Sequence, residues 1–505
     1  MTILDYLIFA LYMAAIIGVG FYFYLRNKDA EDYFVGGRSL TASHVGLSIA
    51  ATDVGGGFSI GLGGLGYAIG FTGTWLLFTG LVGAWLSAVL IIPRIKRVDT
   101  RHGMMTYPDF LRFRYDNKVA LVAAVISTVG YLGFTSGQIL AGAKLMAGSV
   151  IEAAPFGMEI MTFSILIIGF VIVVYTVLGG LKAVIYTDTV QWIILIVGLA
   201  AFAIPFGLFR VGGWAGLQEA LPQAHFSFTN TDWPTFINWM VTVIPIWAVA
   251  MTLYQRMYAS RSEAQARKAW FIAGLFEYPA MAFTGVFLGM MARIVVPGVE
   301  AELGVPILLK IVLPMGITGL VIASYFSAIM STADSCIIAS SGNFVGDIVQ
   351  RSRFKLKSHK GVVRLSQGVT LVIGVTAILI ATTFATVLDA ILHAYSFLVA
   401  GLFIPTLGAY FWKGATSTGA FWAMVLGGGL TLILLVGRWD LPWGLDPSFW
   451  GILVSGVVFF PVSAWTREKG VVPRSALELE GELVDEPGGE AAEELEETTS
   501  ASVGN

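Results

Sequence analysis

Charged side chains are scarce in this sequence: Asp, Glu, Lys and Arg make up only 12% of its 505 residues, and the formal net charge is -3. Such a balance leaves no basic footprint for a nucleic-acid backbone, so no nucleic-acid partner is expected. Cysteine occurs once, at Cys336, which excludes an intramolecular disulfide framework. The five histidines (His44, His102, His225, His359 and His393) are scattered, and none forms a ligand pair by spacing. No nucleophile stands with a base in a recognisable pattern, so an enzyme is not expected. A repeated pore loop with carbonyl or charged rings is also missing, which argues against a channel.

Apolar side chains are abundant instead. They account for 56% of the chain, and the mean hydropathy is +0.78, far more apolar surface than one soluble core of this size needs. Crossing about 30 Å of hydrocarbon takes roughly 20 apolar residues in a helix. Such runs lie at 3–24, 42–72, 73–93, 120–149, 158–178, 185–208, 236–254, 269–292, 312–340, 366–384, 386–412, 417–437 and 447–465. The expectation is an all-α polytopic membrane protein with about 13 transmembrane helices, embedded in a lipid bilayer. The first run lacks a basic leader and is followed by "LRNK", which reads as a retained helix and not as a cleaved signal.

With the N-terminus outside, 25 of the 30 Lys and Arg fall on the inner side, among them those of "RIKRVDTRHGMMTYPDFLRFRYDNK", "RMYASRSEAQARK" and "QRSRFKLKSHKGVVR". This bias orients the chain in the plasma membrane with a cytoplasmic C-terminus. Residues 1–466 form the transmembrane domain. The remainder, 467–505, carries ten carboxylates between Glu478 and Glu497 and no aromatic residue after Trp465, a composition that predicts a disordered acidic cytoplasmic tail.

Two of the spans carry polar interruptions. "AATDVGGGFSIGLGG" (50–64) places Asp53 and six glycines inside an apolar run. Close helix packing through small residues accounts for "GLGGLG". It does not account for Asp53, since a carboxylate in a span costs about 2.5 to 3.5 kcal/mol on insertion scales and marks an ion path or substrate site. Glycines 55–57 favour a helix break, whose freed carbonyls and amides are tolerated at membrane depth where they line a cavity. In the ninth span, "ASYFSAIMSTADSCIIASSGN" sets the carbonyl of Ala328 and the hydroxyls of Ser331 and Thr332 at i, i+3 and i+4, on one helix face. Neutral oxygens of this kind suit a hard cation.

These elements, together with "DYFVGGRSL", "YTVLGGLKAVIYTDTVQ", "YQRMYASRSEAQARKA" and "SAIMSTADS", resemble the sodium:solute symporter family, which contains sodium/proline, sodium/glucose, pantothenate and choline carriers. The resemblance implies a LeuT-type core of inverted five-helix repeats, at about 42–208 and 236–412, and sodium as the coupling ion. It implies sodium ligation by the carbonyls of Ala51, Val54 and Ala328 and the side-chain oxygens of Ser331 and Thr332. "ATDVGG" parallels the "ASDMSG" of proline carriers, making Asp53 the counterpart of an aspartate important for sodium use; "TDTVQ" places Asp188 near the ion's exit path.

The substrate implied is a small organic solute, an amino acid such as proline first. "TDVGGG" is also similar to the "TWVGGG" of choline carriers, though Asp53 stands where they have tryptophan, so a quaternary amine is the alternative, with a small carboxylate behind it. The "NQ" of the sugar carriers is replaced by Ala250 and Met251. Candidate substrate contacts are Gly56, Gly57, Phe58, Tyr131, Gln138, Trp247 and Tyr395. The sequence leaves the oligomeric state open.

Overall fold

The computed structural model describes residues 1–24, 38, 40–53, 55–178, 181–352, 356, 358–468 and 472–481. Among them there is no strand, only a single bridge between Leu40 and Ser260. The long helices are α1 (Ile3–Tyr24), α2 (Ala42–Asp53), α3 (Gly55–Ile69), α4 (Trp75–Leu90), α5 (Asn117–Ser149), α6 (Ile160–Leu178), α7 (Leu181–Val197), α8 (Trp233–Ile246), α9 (Met251–Ala259), α10 (Glu263–Leu275), α11 (Ala282–Val295), α12 (Ile317–Gly342), α13 (His359–Ala381), α14 (Val387–Phe411), α15 (Ser417–Gly437) and α16 (Pro447–Thr466). Ten helical stretches among the described residues are long and apolar enough to cross a bilayer, or eleven if α8 and α9 form one bent span. Thirteen is not reached by this measure because Gly57–Leu90 runs as one helical stretch and only Ile3–Ile16 of the first helix passes as apolar.

A bilayer is the solvent that this exterior fits. Val372, Leu379, Val436, Val457 and Phe460 project from α13, α15 and α16 as exposed side chains, a surface that water would penalise and lipid does not. Helix contacts inside rely on small residues, as association in lipid requires. A Cβ on Gly289 would sit 2.1 Å from the carbonyl of Gly63, and one on Gly66 would sit 2.0 Å from that of Val286. "GLGGLG" is therefore the seam between α3 and α11.

Helix α12 is buried along nearly its whole length, with α1, α2, α3, α5, α6, α7 and α13 packed around it. Its sequence has no polar stripe because no face of it meets solvent. Asp5 of α1 fixes its start, accepting the backbone N–H groups of Gly316 at 2.7 Å and Gly319 at 3.1 Å. A carboxylate there satisfies orphan donors and complements the helix dipole.

One span is broken at midlength among the described residues. Where a break was expected at Gly55–Gly57, α2 runs to Asp53 and α3 begins at Gly55 with position 54 outside the described residues, and Gly55–Gly57 are helical and not an unwound stretch. The break that is seen was not foreseen: α8 ends at Ile246, four non-helical residues follow, and α9 begins at Met251 with a 40° bend. Pro245 in the last turn of α8 is the sequence signal for it.

The segment expected to be a disordered tail also departs from expectation. Arg474–Glu480 is a helix with Ala476 and Leu479 buried. It is held by His102 to Glu478 at 2.8 Å and Lys413 to Glu480 at 2.7 Å, and the Arg97 guanidinium donates to the Leu479 carbonyl at 3.1 Å. Its "ALELE" alternation supplies two apolar anchors among the acids, a local feature that composition averaged over 39 residues hides. The rest of the acidic stretch, from 482 onward, lies outside the described residues.

Candidate ion and substrate site

Ala51 lies on α2, three residues before position 54, which is outside the described residues. Across from it stands α12. The Thr332 hydroxyl lies 3.2 Å from the Ala51 carbonyl and 3.0 Å from that of Ala328, and the Ser331 hydroxyl donates to Ala328 at 3.1 Å. Four of the five oxygens expected to hold sodium are thus linked, the Thr332 hydroxyl to the Ala51 and Ala328 carbonyls and the Ser331 hydroxyl to Ala328, where the two helices face each other. All are neutral and buried, the donor set of a monovalent hard cation. Val54 and the side chain of Asp53 lie outside the described residues; the Asp53 backbone closes α2.

Behind this junction is a charge network whose hub sequence reading missed. Arg256, counted by its sequence context among the inner-side loop charges, is completely buried on α9. Its Nε donates to Ser48 at 3.2 Å, Nη1 to the Thr252 carbonyl at 3.1 Å, and Nη2 to Thr52 and to Ser335 at 3.3 Å. Asp188 on α7 lies 3.7 Å from Nη2 and accepts the Ser48 hydroxyl at 2.6 Å. One guanidinium therefore ties α2, α7, α9 and α12 together around the candidate ion site. A buried guanidinium is tolerated because its five donors meet a carboxylate and neutral oxygens. Asp334, also buried and also unforeseen, accepts the Thr176 hydroxyl. Its place in "STADS", two residues past Thr332, is the available signal.

The candidate substrate residues divide into three groups. Gln138 of α5 accepts the backbone N–H of Gly57 at 3.1 Å, taking up an orphan amide of the first turn of α3. A Cβ on Gly57 would lie 2.4 Å from the Gln138 amide nitrogen, so glycine is what lets the two approach. Phe58, Tyr395 and Phe134 form an aromatic row, with centroids 5.9 Å apart for Phe58 and Tyr395 and 5.0 Å for the Tyr395–Phe134 stack.

Tyr131 and Trp247 belong to the break between α8 and α9. The Tyr131 hydroxyl accepts the Thr252 N–H at 3.0 Å and lies 3.0 Å from its hydroxyl, capping α9. Trp247 sits in the break with its carbonyl accepting Ser87 at 3.1 Å and its indole against Gly83. Gly56 lies in the first turn of α3.

Among known proteins, the model of the sodium:solute symporter family matches residues 33–427. This chain belongs to the sodium:solute symporter family. The coupling ion of such a symporter is sodium. Sodium/proline symporters from Staphylococcus aureus strains JH9 and NCTC 8325 are each 26% identical over 95% of this chain and 96% of their own. Among solved structures, a substrate-bound, outward-open Na+-coupled sialic acid symporter superposes with a TM-score of 0.74 at 20% identity, over 92% of this chain and 97% of its own. Mhp1, a nucleobase-cation-symport-1 family transporter, gives 0.58 at 14% identity over 90% and 100%. The symporter fold here is thus the LeuT type. As a family member the chain takes a small-molecule substrate and resides in the bilayer as a multi-pass protein.

Proposed function

We propose that this protein imports a small amino acid, proline first, by sodium symport through alternating access, and that it performs no enzymatic reaction. The observation that carries the ion half is the meeting of Ala51, Ala328, Ser331 and Thr332. Sodium held there by these oxygens and the Val54 carbonyl pins the first core span against α12. Asp53 and Asp188 act on the ion's path and need not touch it. With core repeats at 42–208 and 236–412, the second opens on the broken span α8–α9. Half-helix ends at such a break offer amides and carbonyls to a charged solute at midplane. The sodium/proline relatives support proline as the first solute to test. Gly56, Gly57, Gln138, Phe58 and Tyr395 border the pocket, while Tyr131 and Trp247 shape its second side.

Placement in the plasma membrane with the N-terminus outside follows from the distribution of Lys and Arg. Sodium and substrate stabilise one state, so each raises the other's affinity by the same factor. A thermal-shift screen of purified protein against amino acids, quaternary amines, carboxylates and sugars, with and without sodium, tests the assignment. Sodium-dependent stabilisation by proline is expected; stabilisation by a sugar or simple carboxylate alone overturns the substrate.

A further inference from the structure

The helix Arg474–Glu480 serves neither the ion site nor the charge network, yet its docking is built in detail. Ala476 and Leu479 stand three residues apart, which puts both on one face, and both are buried. Gly481 ends the helix with φ +77°, and a Cβ there would lie 2.5 Å from Nη1 of Arg97. Glycine thus lets the Arg97 guanidinium reach the Leu479 carbonyl at 3.1 Å, a cation at the negative end of the helix. His102 meets Glu478 at 2.8 Å and Lys413 meets Glu480 at 2.7 Å, while the Ser475 hydroxyl donates to the Arg114 carbonyl at 3.4 Å.

These partners come from two groups of helices. Arg97 and His102 sit on the helix Ile92–His102, which packs against α4, α9 and α10; its Lys96 donates to the Tyr258 carbonyl of α9 at 3.1 Å. Arg114 closes the helix Tyr107–Arg114, which packs mainly against α5 and also meets α9, α14 and Asn343–Val349, the continuation of α12. There Arg112 pairs with Asp347 at 3.1 Å. Lys413 follows directly on α14, which packs on α5. The candidate ion site joins the same two groups, since α2 packs on α10 and α12 packs on α5. Ion and helix therefore tie one pair of groups together at two levels, midway along α12 and at its end.

We propose that Arg474–Glu480 is an autoinhibitory clasp, holding the two groups closed at the end of α12 and slowing the release of sodium and solute on that side. The inference rests on the alternating-access reading above and holds for whichever solute is carried. Alternating access parts the groups at that end once per cycle. A contact made only in the closed arrangement is given up before they part, so it lowers the population of the open one. Exposed ion pairs contribute little to such a contact, which makes the buried Leu479 its principal anchor.

Cys336 is the only cysteine of the chain and lies buried on α12, one turn past Thr332 toward the clasp. Its labelling by N-ethylmaleimide in the purified full-length protein, with and without sodium, reads the opening without any solute. Initial rates of labelled proline uptake into proteoliposomes under a sodium gradient read the consequence. Leu479→Glu puts a charge where the anchor was buried. It is expected to label at least about fivefold faster without sodium, to be slowed by sodium as wild type is, and to take up proline at least about twofold faster. Glu480→Lys removes one exposed pair and moves both readouts the same way by about twofold or less, an independent check should Leu479→Glu not fold. Wild-type labelling and uptake in Leu479→Glu overturn the clasp and leave the symporter reading intact. Slower uptake in both variants also overturns it, by making the helix a support of the fold, as does faster labelling that sodium no longer slows. A wild type whose labelling is blind to sodium and which shows no sodium-driven uptake overturns the symport reading and this inference with it.

Discussion

The Thr332 hydroxyl reaches across from the buried helix α12 to the Ala51 carbonyl of α2 at 3.2 Å. An ion bound here binds both helices. Whatever stabilises the junction stabilises one arrangement of the two, which is how a small ion can bias a large movement.

Removing both hydroxyls with Ser331→Ala and Thr332→Ala leaves the packing of α12 nearly intact. Apparent sodium affinity should fall at least about tenfold, equivalent to about 1.4 kcal/mol, with expression unchanged. Sodium titrations of uptake check this, and an unaltered titration contradicts the placement of the ion.

Arg256→Ala strips the buried partner from Asp188 and the donors from Ser48, Thr52 and Ser335. Breaking a buried pair on one side costs about 3 to 5 kcal/mol because the other charge is left uncompensated. The unfolding midpoint should fall steeply, and adding Asp188→Asn should recover part of the loss. A double variant less stable than Arg256→Ala alone contradicts the coupling.

Gly57→Ala drives a methyl into the Gln138 amide. Displacing that side chain frees the Gly57 N–H and moves the pocket wall, so substrate affinity should drop by about tenfold while sodium affinity holds. Parallel titrations of substrate and of sodium separate the two effects.

Asp53 is the last described residue of α2. If its charge balances the incoming cation, Asp53→Asn inserts and folds normally yet loses most sodium-driven uptake. Transport at the wild-type rate reduces Asp53 to a hydrogen-bonding cap.

Much of this arrangement was legible in residue order. Oxygens at Ala328, Ser331 and Thr332 sit within one turn, so helical spacing alone aligns them. Arg256 was not legible as a buried hub, because inside "YQRMYASR" it reads as one more loop charge; its role comes from four helices distant in sequence. The break between α8 and α9 was masked by an apolar run, "VIPIWAVAM", in which Pro245 is the sole irregular residue. The helix at Arg474–Glu480 escaped because two buried side chains are enough to dock seven residues.

Uptake of labelled proline into proteoliposomes under an imposed inward sodium gradient is the most direct measurement of sodium-coupled amino-acid symport. The prediction is accumulation above the external concentration, collapsing when potassium replaces sodium outside and when Ser331 and Thr332 are both alanine. Equal uptake in sodium and potassium, or equilibration without accumulation, contradicts it.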